Sequence, residues 1–236
     1  MTAYFNADKM PNPHKEYVCF IDIMGIQSKM SHSTKQSSNF IFKLHATLLE
    51  AWRSRGYSTI SVYPIMDGAY ITSTKKDDIL NLLTAMYNSL STALLQEDNY
   101  RFWYMVRASI AYGDVIHGKD IPYDACLEFS SRVGYKEQLL ISPAMIEAYA
   151  GEKSAAPMGI HICDSASSRR NGIDASWKWY SNTNIKTAHQ NIADFKCKLQ
   201  KYLTWLNANS DESEYPAANR QRHRDAAYGY FNIQSM

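Results

Sequence analysis

The apolar positions of the chain switch between a spacing of two and a spacing near 3.6, the periods of a strand and of a helix. Residues 17–24, YVCFIDIM, are β-branched and aromatic with a single acid inside, which predicts a buried strand. Phe40, Ile41, Leu44, Leu48, Leu49 and Trp52 recur at helical spacing and predict a helix over about 35–54. Two β-prone runs follow, 58–66 and 69–74, joined at Asp67-Gly68, a strong short-range hairpin signal. Pro64 lacks a ladder donor and places the first of these strands at a sheet edge or beside a bulge. Ile79, Leu83, Met86, Leu90 and Leu94 form one stripe of a helix over 77–96. Residues 101–112 read as a long strand, Gly113-Asp114 as a turn and 115–118 as a short strand. Residues 120–140 carry no clear period. A short helix over 143–150 has Pro143 in its first turn and Gly151 at its end. A strand follows at 158–164, then an amphipathic helix at 184–207 and a polar loop at 208–220. Residues 1–15, polar and carrying Pro11 and Pro13, read as a loose arm.

The order β-α-β-β-α-β is that of the split βαβ, or ferredoxin-like, arrangement. It predicts an α+β fold: an antiparallel sheet with helices on one face, and the first strand beside the central hairpin. The expected division is a catalytic domain over 1–165 that includes the short N-terminal arm. Residues 166–236 are then a mainly helical C-terminal extension packed on the same domain.

Composition narrows the classes. Hydrophobic residues at 45% and charged residues at 20% exclude disorder over most of the length. A net charge of +2 gives no broad basic field, so nucleic-acid binding is not expected. No apolar run is long enough to span a bilayer, and the opening MTAYFNADKM lacks a signal-peptide core. Cys19, Cys126, Cys163 and Cys197 stand far apart, which argues against both a zinc framework and disulfides. A cytoplasmic protein is expected. His117 and His161 fall on predicted strands with no partner at ligand spacing, and are read as structural.

Two acids stand out. Asp22 lies inside an apolar strand, where a charge is rare unless paired or metal-bound. Alternation puts Phe20, Asp22 and Met24 on one face, with Ile21 and Ile23 on the other. Asp67 sits at the hairpin tip, and in the expected topology that tip meets the end of the first strand. Converging carboxylates suit Mg²⁺ or Mn²⁺, and two such ions can clamp an in-line displacement. The plainer readings are an Asp-Gly turn for Asp67 and a backbone hydrogen bond at a strand end for Asp22. Gly25, just after the strand, opens a loop whose backbone can approach a phosphate closely.

These same residues resemble the motifs of class III nucleotidyl cyclases. F-I-D-I-M-G-I resembles that family's first metal motif, F-x-D-I-x-G-F, and M-D-G-A-Y its second, G-D-x-x-x-A. V-R-A-S-I-A-Y-G-D-V resembles the strand and turn that follow, V-R-I-G-I-H-x-G-x-V. The resemblance spans roughly residues 17–164. Within the superfamily the chain looks most like the pyrimidine cyclases of Pycsar anti-phage systems, because S-P-A-M-I-E-A-Y-A-G-E-K resembles their P-A-L-x-E-A-Y-x-x-E helix. The resemblance implies a homodimer with active sites at its interface. It also implies two Mg²⁺ or Mn²⁺ ions per site held by Asp22, Asp67 and the Ile23 carbonyl. The reaction implied is cyclisation of UTP, ahead of CTP, by attack of the 3′-hydroxyl on the α-phosphorus with loss of pyrophosphate. The product would act on a separate effector protein.

Gly25 and Ile26 open the loop whose backbone N–H groups are expected to bind the triphosphate. Tyr63 stands where adenylate cyclases carry a base-reading Lys. Its bulk, hydroxyl and stacking face suit a smaller pyrimidine. The family's N-x-x-x-R motif has no clean match. One alignment puts Ala150 at the Arg position, whereas F-S-S-R offers Arg132 with Glu128 in place of Asn. Arg132 is the candidate for steadying phosphate charge, with Lys136 and Lys29 behind it. The alternatives are an adenylate or guanylate cyclase, an inactive cyclase-like nucleotide-binding module, and an unrelated ferredoxin-like binding module.

Overall fold

A computed structural model of the protein describes residues 5–184, 191–209, 215 and 217–234. Strand β1 (His14–Ile23) turns at Met24–Gly25 into a short helix α1 (Ile26–His32) and a long helix α2 (Thr34–Arg55). Strands β2 (Ile60–Ile65) and β3 (Gly68–Ser73) form a hairpin, followed by α3 (Lys76–Gln96) and β4 (Val106–His117). Then come α4 (Leu127–Ser131), α5 (Val133–Glu137), β5 (Leu140–Ile141), α6 (Pro143–Glu152), β6 (Ile160–Ile162) and α7 (Asp164–Ser167). Helices α8 (Ile192–Ala208) and α9 (Ala217–Phe231) form the tail. The sheet order is β2-β3-β1-β4-β5, with β6 pairing parallel to β4. The β2-β3-β1-β4 part is antiparallel and has the ferredoxin-like order, so the protein is α+β. Pro64 lies in the edge strand β2, where its missing N–H costs no ladder bond.

Alternation along β1 divides the core. Cys19, Ile21 and Ile23 pack toward α2 and α3, among Phe40, Leu44, Leu48, Leu83 and Met86. Val18 and Phe20 point to the other face, which α6 covers with Ala144 and Ala148. The two long helices thus share one face, and the opposite face carries only part of a layer. Phe195, Leu199, Tyr202 and Phe231 of the tail join the core of the long-helix face, around Trp103 and Trp179. No described helix is long and apolar enough to cross a membrane. All four cysteines are free thiols.

Several boundaries differ from the sequence reading. Strand β1 begins at His14, so the end of the expected arm is sheet, and Asn6 N–H donates to the Ala125 carbonyl at 2.8 Å. Residues 100–102 form a 3₁₀ turn, and β4 runs unbroken from Val106 to His117 through Gly113-Asp114. Gly113 marks close packing, because a Cβ there would stand 3.1 Å from Ala144 Cβ on α6. The hairpin turn is Met66–Asp67, and Gly68 is already paired with Ile65. A Cβ on Gly68 would lie 2.2 Å from the Ile21 carbonyl oxygen, so this glycine lets β3 close on β1. The expected loop after Gly25 is helix α1. The unclear 120–140 stretch holds two short helices and the start of β5. The 184–207 helix starts at Ile192, with residues 185–190 outside the described residues. The expected 208–220 loop falls partly on residues 210–214 and 216, also outside them, and gives way to helix at Ala217.

Candidate active site

Asp22 stands one residue before the end of β1, directly opposite Arg107 of β4. On its other side the tight approach at Gly68 carries the Met66–Asp67 turn up to the strand end. The Asp22 and Asp67 carboxyl groups stand close enough to act on each other, and the Ile23 N–H faces Asp22. Two carboxylates this close repel, which favours the protonated form of the more buried one. Burial first, then the charges of Asp67 and Glu152, push Asp22 up to about 7. Glu152, at the end of α6 and 3% exposed, forms an ion pair with Arg107. Burial raises the Glu152 carboxyl against the pull of Arg107, and Asp67 adds to the rise.

The charges of Asp67 and Glu152 therefore act on Asp22, and Arg107, which could offset them, is already paired with Glu152. The donor set is all oxygen, and its negative charge is only partly compensated. That is the chemistry a hard divalent cation relieves, and Mg²⁺ or Mn²⁺ fits it. The two Asp residues expected to meet do meet. Their convergence depends on Gly68 having no side chain.

The tail closes the next part of the site. Gly25 adopts a left-handed φ of 72°, which favours glycine, and a Cβ there would touch the Tyr215 ring at 3.3 Å. A cavity of about 90 Å³ lies between this turn and α9, lined by Gly25, Arg107, Tyr215, Arg222 and His223. Arg222 Nη2 donates to His223 Nε2 at 3.1 Å, so a neutral His223 carries its proton on Nδ1, toward the Tyr215 hydroxyl. Burial, then the Arg222 and Arg107 charges, lower His223 to about 4, which keeps it neutral. Two cations thus border the cavity beside the carboxylates.

The remaining sequence candidates lie elsewhere. Tyr63 is buried on β2; its hydroxyl bonds His117 Nδ1, and its ring stacks on that imidazole at 5.7 Å. Ile26 is buried in the core, so only its backbone faces the Gly25 turn. Arg132 is exposed at the junction of α4 and α5, and α4 packs on the 123–125 turn rather than against Asp22. Lys136 is buried, donates to the Ile121 carbonyl and lies over the Tyr123 ring at 4.0 Å, a structural cation. Lys29 stands 5.4 Å from the Phe40 ring. Ala150 is exposed on α6.

Sequence reasoning missed Arg107, Glu152, Tyr215, Arg222 and His223. Arg107 and Glu152 were inside quoted motifs, but their pairing needs α6 to lie across β4. The signal for the tail was the run N-R-Q-R-H-R-D, too short and isolated to read as a site.

No protein-family model matches the sequence, and no curated protein matches it. Among solved structures, the guanylyl cyclase domain of the RhoGC fusion protein from the aquatic fungus Blastocladiella emersonii, as a monomeric double mutant, is similar at 15% identity. That match covers 66% of this chain and 84% of the other, with a TM-score of 0.47. The catalytic core of a rhodopsin-guanylyl cyclase with converted specificity, in complex with ATPαS, is similar at 13% identity over 66% and 80% of the two chains, with a TM-score of 0.45. A bacterial light-regulated adenylyl cyclase is similar at 12% identity over 44% and 56%, with a TM-score of 0.36.

Proposed function

We propose that the chain is a metal-dependent nucleotidyl cyclase that converts a pyrimidine nucleoside triphosphate, UTP ahead of CTP, to its 3′,5′-cyclic monophosphate and pyrophosphate. The observation that carries this reading is the meeting of Asp22 and Asp67 beside the Arg107–Glu152 pair. Residues 1–165 are taken as the catalytic domain and the tail as its extension. Asp22 and Asp67, with the Ile23 carbonyl, are assigned two Mg²⁺ or Mn²⁺ ions, which supply acidification of the ribose 3′-hydroxyl and neutralisation of triphosphate charge.

The protein's own part is positioning and charge. The 3′-oxygen attacks the α-phosphorus in line, and the bond to the β-phosphate oxygen breaks. The Gly25–Ile26 backbone is assigned the triphosphate. Arg107 and Arg222 border the cavity beside it and offer planar cationic donors for the leaving pyrophosphate. Tyr63 is assigned the base. Its hydroxyl is already bonded to His117, so the ring and its bulk are what it offers a pyrimidine.

A homodimer with active sites at its interface completes the proposal. Met66 and Ile146 are 84% and 69% exposed, and Tyr149, whose ring meets Phe20 on the same face as Asp22, is half exposed. Such apolar exposure fits a covered surface. Arg132, exposed between α4 and α5, is assigned to phosphate charge in that dimer. By resemblance, the cyclic product is a cytoplasmic anti-phage messenger for a separate effector. The position of Arg132 away from Asp22 favours, as a second reading, a catalytically inactive nucleotide-binding module.

The test is a product assay with Mn²⁺ and each of the four ribonucleoside triphosphates, read by mass. Cyclic UMP or cyclic CMP alone is expected. Cyclic AMP or cyclic GMP would overturn the base assignment and keep the chemistry. Binding of nucleotide without any product, from a verified dimer, would leave the second reading standing.

A further inference from the structure

At the end of the sheet away from Asp22, three potential ligands come together, and a buried carboxylate joins two of them. His14 and Glu16 lie at the start of β1, His117 ends β4, and Asp120 closes the 3₁₀ turn that follows. Ligand atoms of His14, His117 and Asp120 all fall within 4.8 Å of one another. Glu16 Oε1 lies between the two imidazoles, 2.9 Å from His14 Nε2 and 3.2 Å from His117 Nε2. The two Glu16 separations match the roughly 3.3 Å between ligand atoms that bonds of about 2.0–2.1 Å give around a tetrahedral zinc, and the other ligand atoms would draw in on binding. His117 presents Nε2 because its Nδ1 is held by the Tyr63 hydroxyl, the outer hydrogen bond that metal-bound imidazoles require. Glu16 is 4% exposed, and its Oε2 is buried with no hydrogen-bond partner among the described residues. His14 and Asp120 are exposed, which leaves an entry path.

We propose that His14, Glu16, His117 and Asp120 form a zinc site. It stands about eight residues of strand, some 26 Å, from Asp22. Two imidazoles and two carboxylates differ in kind from the all-oxygen set at Asp22 and Asp67, and select a borderline ion rather than Mg²⁺. The site ties the first residues of β1 to the last of β4 and, through His117, fixes the ring of Tyr63. The assignment stands whether or not the chain is a cyclase.

The experiment uses the full chain, stripped with chelator and titrated with Co²⁺ as a spectroscopic probe, then with Zn²⁺. One equivalent of Co²⁺ is expected to give the intense visible bands of four-coordinate cobalt, and Zn²⁺ to abolish them. At a hundredfold excess over Kd, Zn²⁺ should raise Tm by about 5–10 °C. His14→Gln and Asp120→Asn change exposed ligands and should remove the bands with the fold intact by circular dichroism. Tyr63→Phe should weaken binding about 10–100-fold through the His117 Nδ1 partner. The double variant Asp22→Asn/Asp67→Asn should bind Co²⁺ as the parent does. Absence of saturable four-coordinate binding overturns the proposal, as do bands that survive His14→Gln or vanish in the Asp22→Asn/Asp67→Asn chain. Any of these would leave an ordinary His–Glu ion-pair network.

Discussion

Replacing Asp22 by Asn keeps the shape of the side chain, which still faces the Ile23 N–H, and removes the charge that burial, Asp67 and Glu152 oppose. In the parent the folded carboxyl is raised from 3.8 to about 7, so the folded state holds a proton that the unfolded chain has lost. The stability from that proton is complete below the unfolded value near 4 and is lost as pH rises through 7. Well inside that window each pH unit costs the parent about 1.4 kcal/mol, and the slope falls away near 7, so the cost between pH 5 and pH 7 is roughly 2 kcal/mol. The Asn variant escapes this cost. In chelator, D22N should therefore be the more stable protein at pH 7–8, and the gap between the two melting curves should widen by about 5–10 °C from pH 5 to pH 7. Differential scanning calorimetry across that range measures it. Added Mg²⁺ or Mn²⁺ should raise the parent's Tm and leave D22N nearly unmoved, while turnover is lost in the variant. A D22N chain that melts at or below the parent at pH 8 in chelator would refute the argument. It would mean that groups of the protein itself already compensate the three carboxylates.

Gly68→Ala places a methyl 2.2 Å from the Ile21 carbonyl oxygen, which should cost about 1–3 kcal/mol in urea unfolding. Asp67 should then move off Asp22, with kcat down about 100-fold. Arg107→Met strands the buried Glu152 charge and should cost about 3–5 kcal/mol, most of it recovered by adding Glu152→Gln; unfolding curves of the single and double variants check this. Tyr63→Phe keeps the ring and should keep pyrimidine selectivity, whereas Tyr63→Ala should admit ATP and GTP, as a competition assay over the four nucleotides would read.

The order of strands and long helices was legible because each has a one-face pattern that any partner layer satisfies. Cys19, Ile21 and Ile23 alternate with Val18 and Phe20, and Leu83, Met86 and Leu90 keep one stripe, whatever the packing. The meeting of Asp22 and Asp67 was legible too, since topology alone carries a hairpin tip to the end of its neighbouring strand. Glycine was harder to read. Gly68 and Gly113 look like turn residues locally, yet both sit in strands because another backbone or helix comes close. Chain-local patterns carry no record of such approach. The same holds for Glu152 on Arg107, for Arg222 beside Gly25, and for His14 beside His117, pairs separated by long stretches of sequence whose contact exists only once the layers have packed. Periodicity and the succession of elements along the chain are local, so they already say which elements form and which acids share an end of the sheet. The tertiary structure decided the charges around them, because desolvation and Coulomb energy depend on distances that only packing sets.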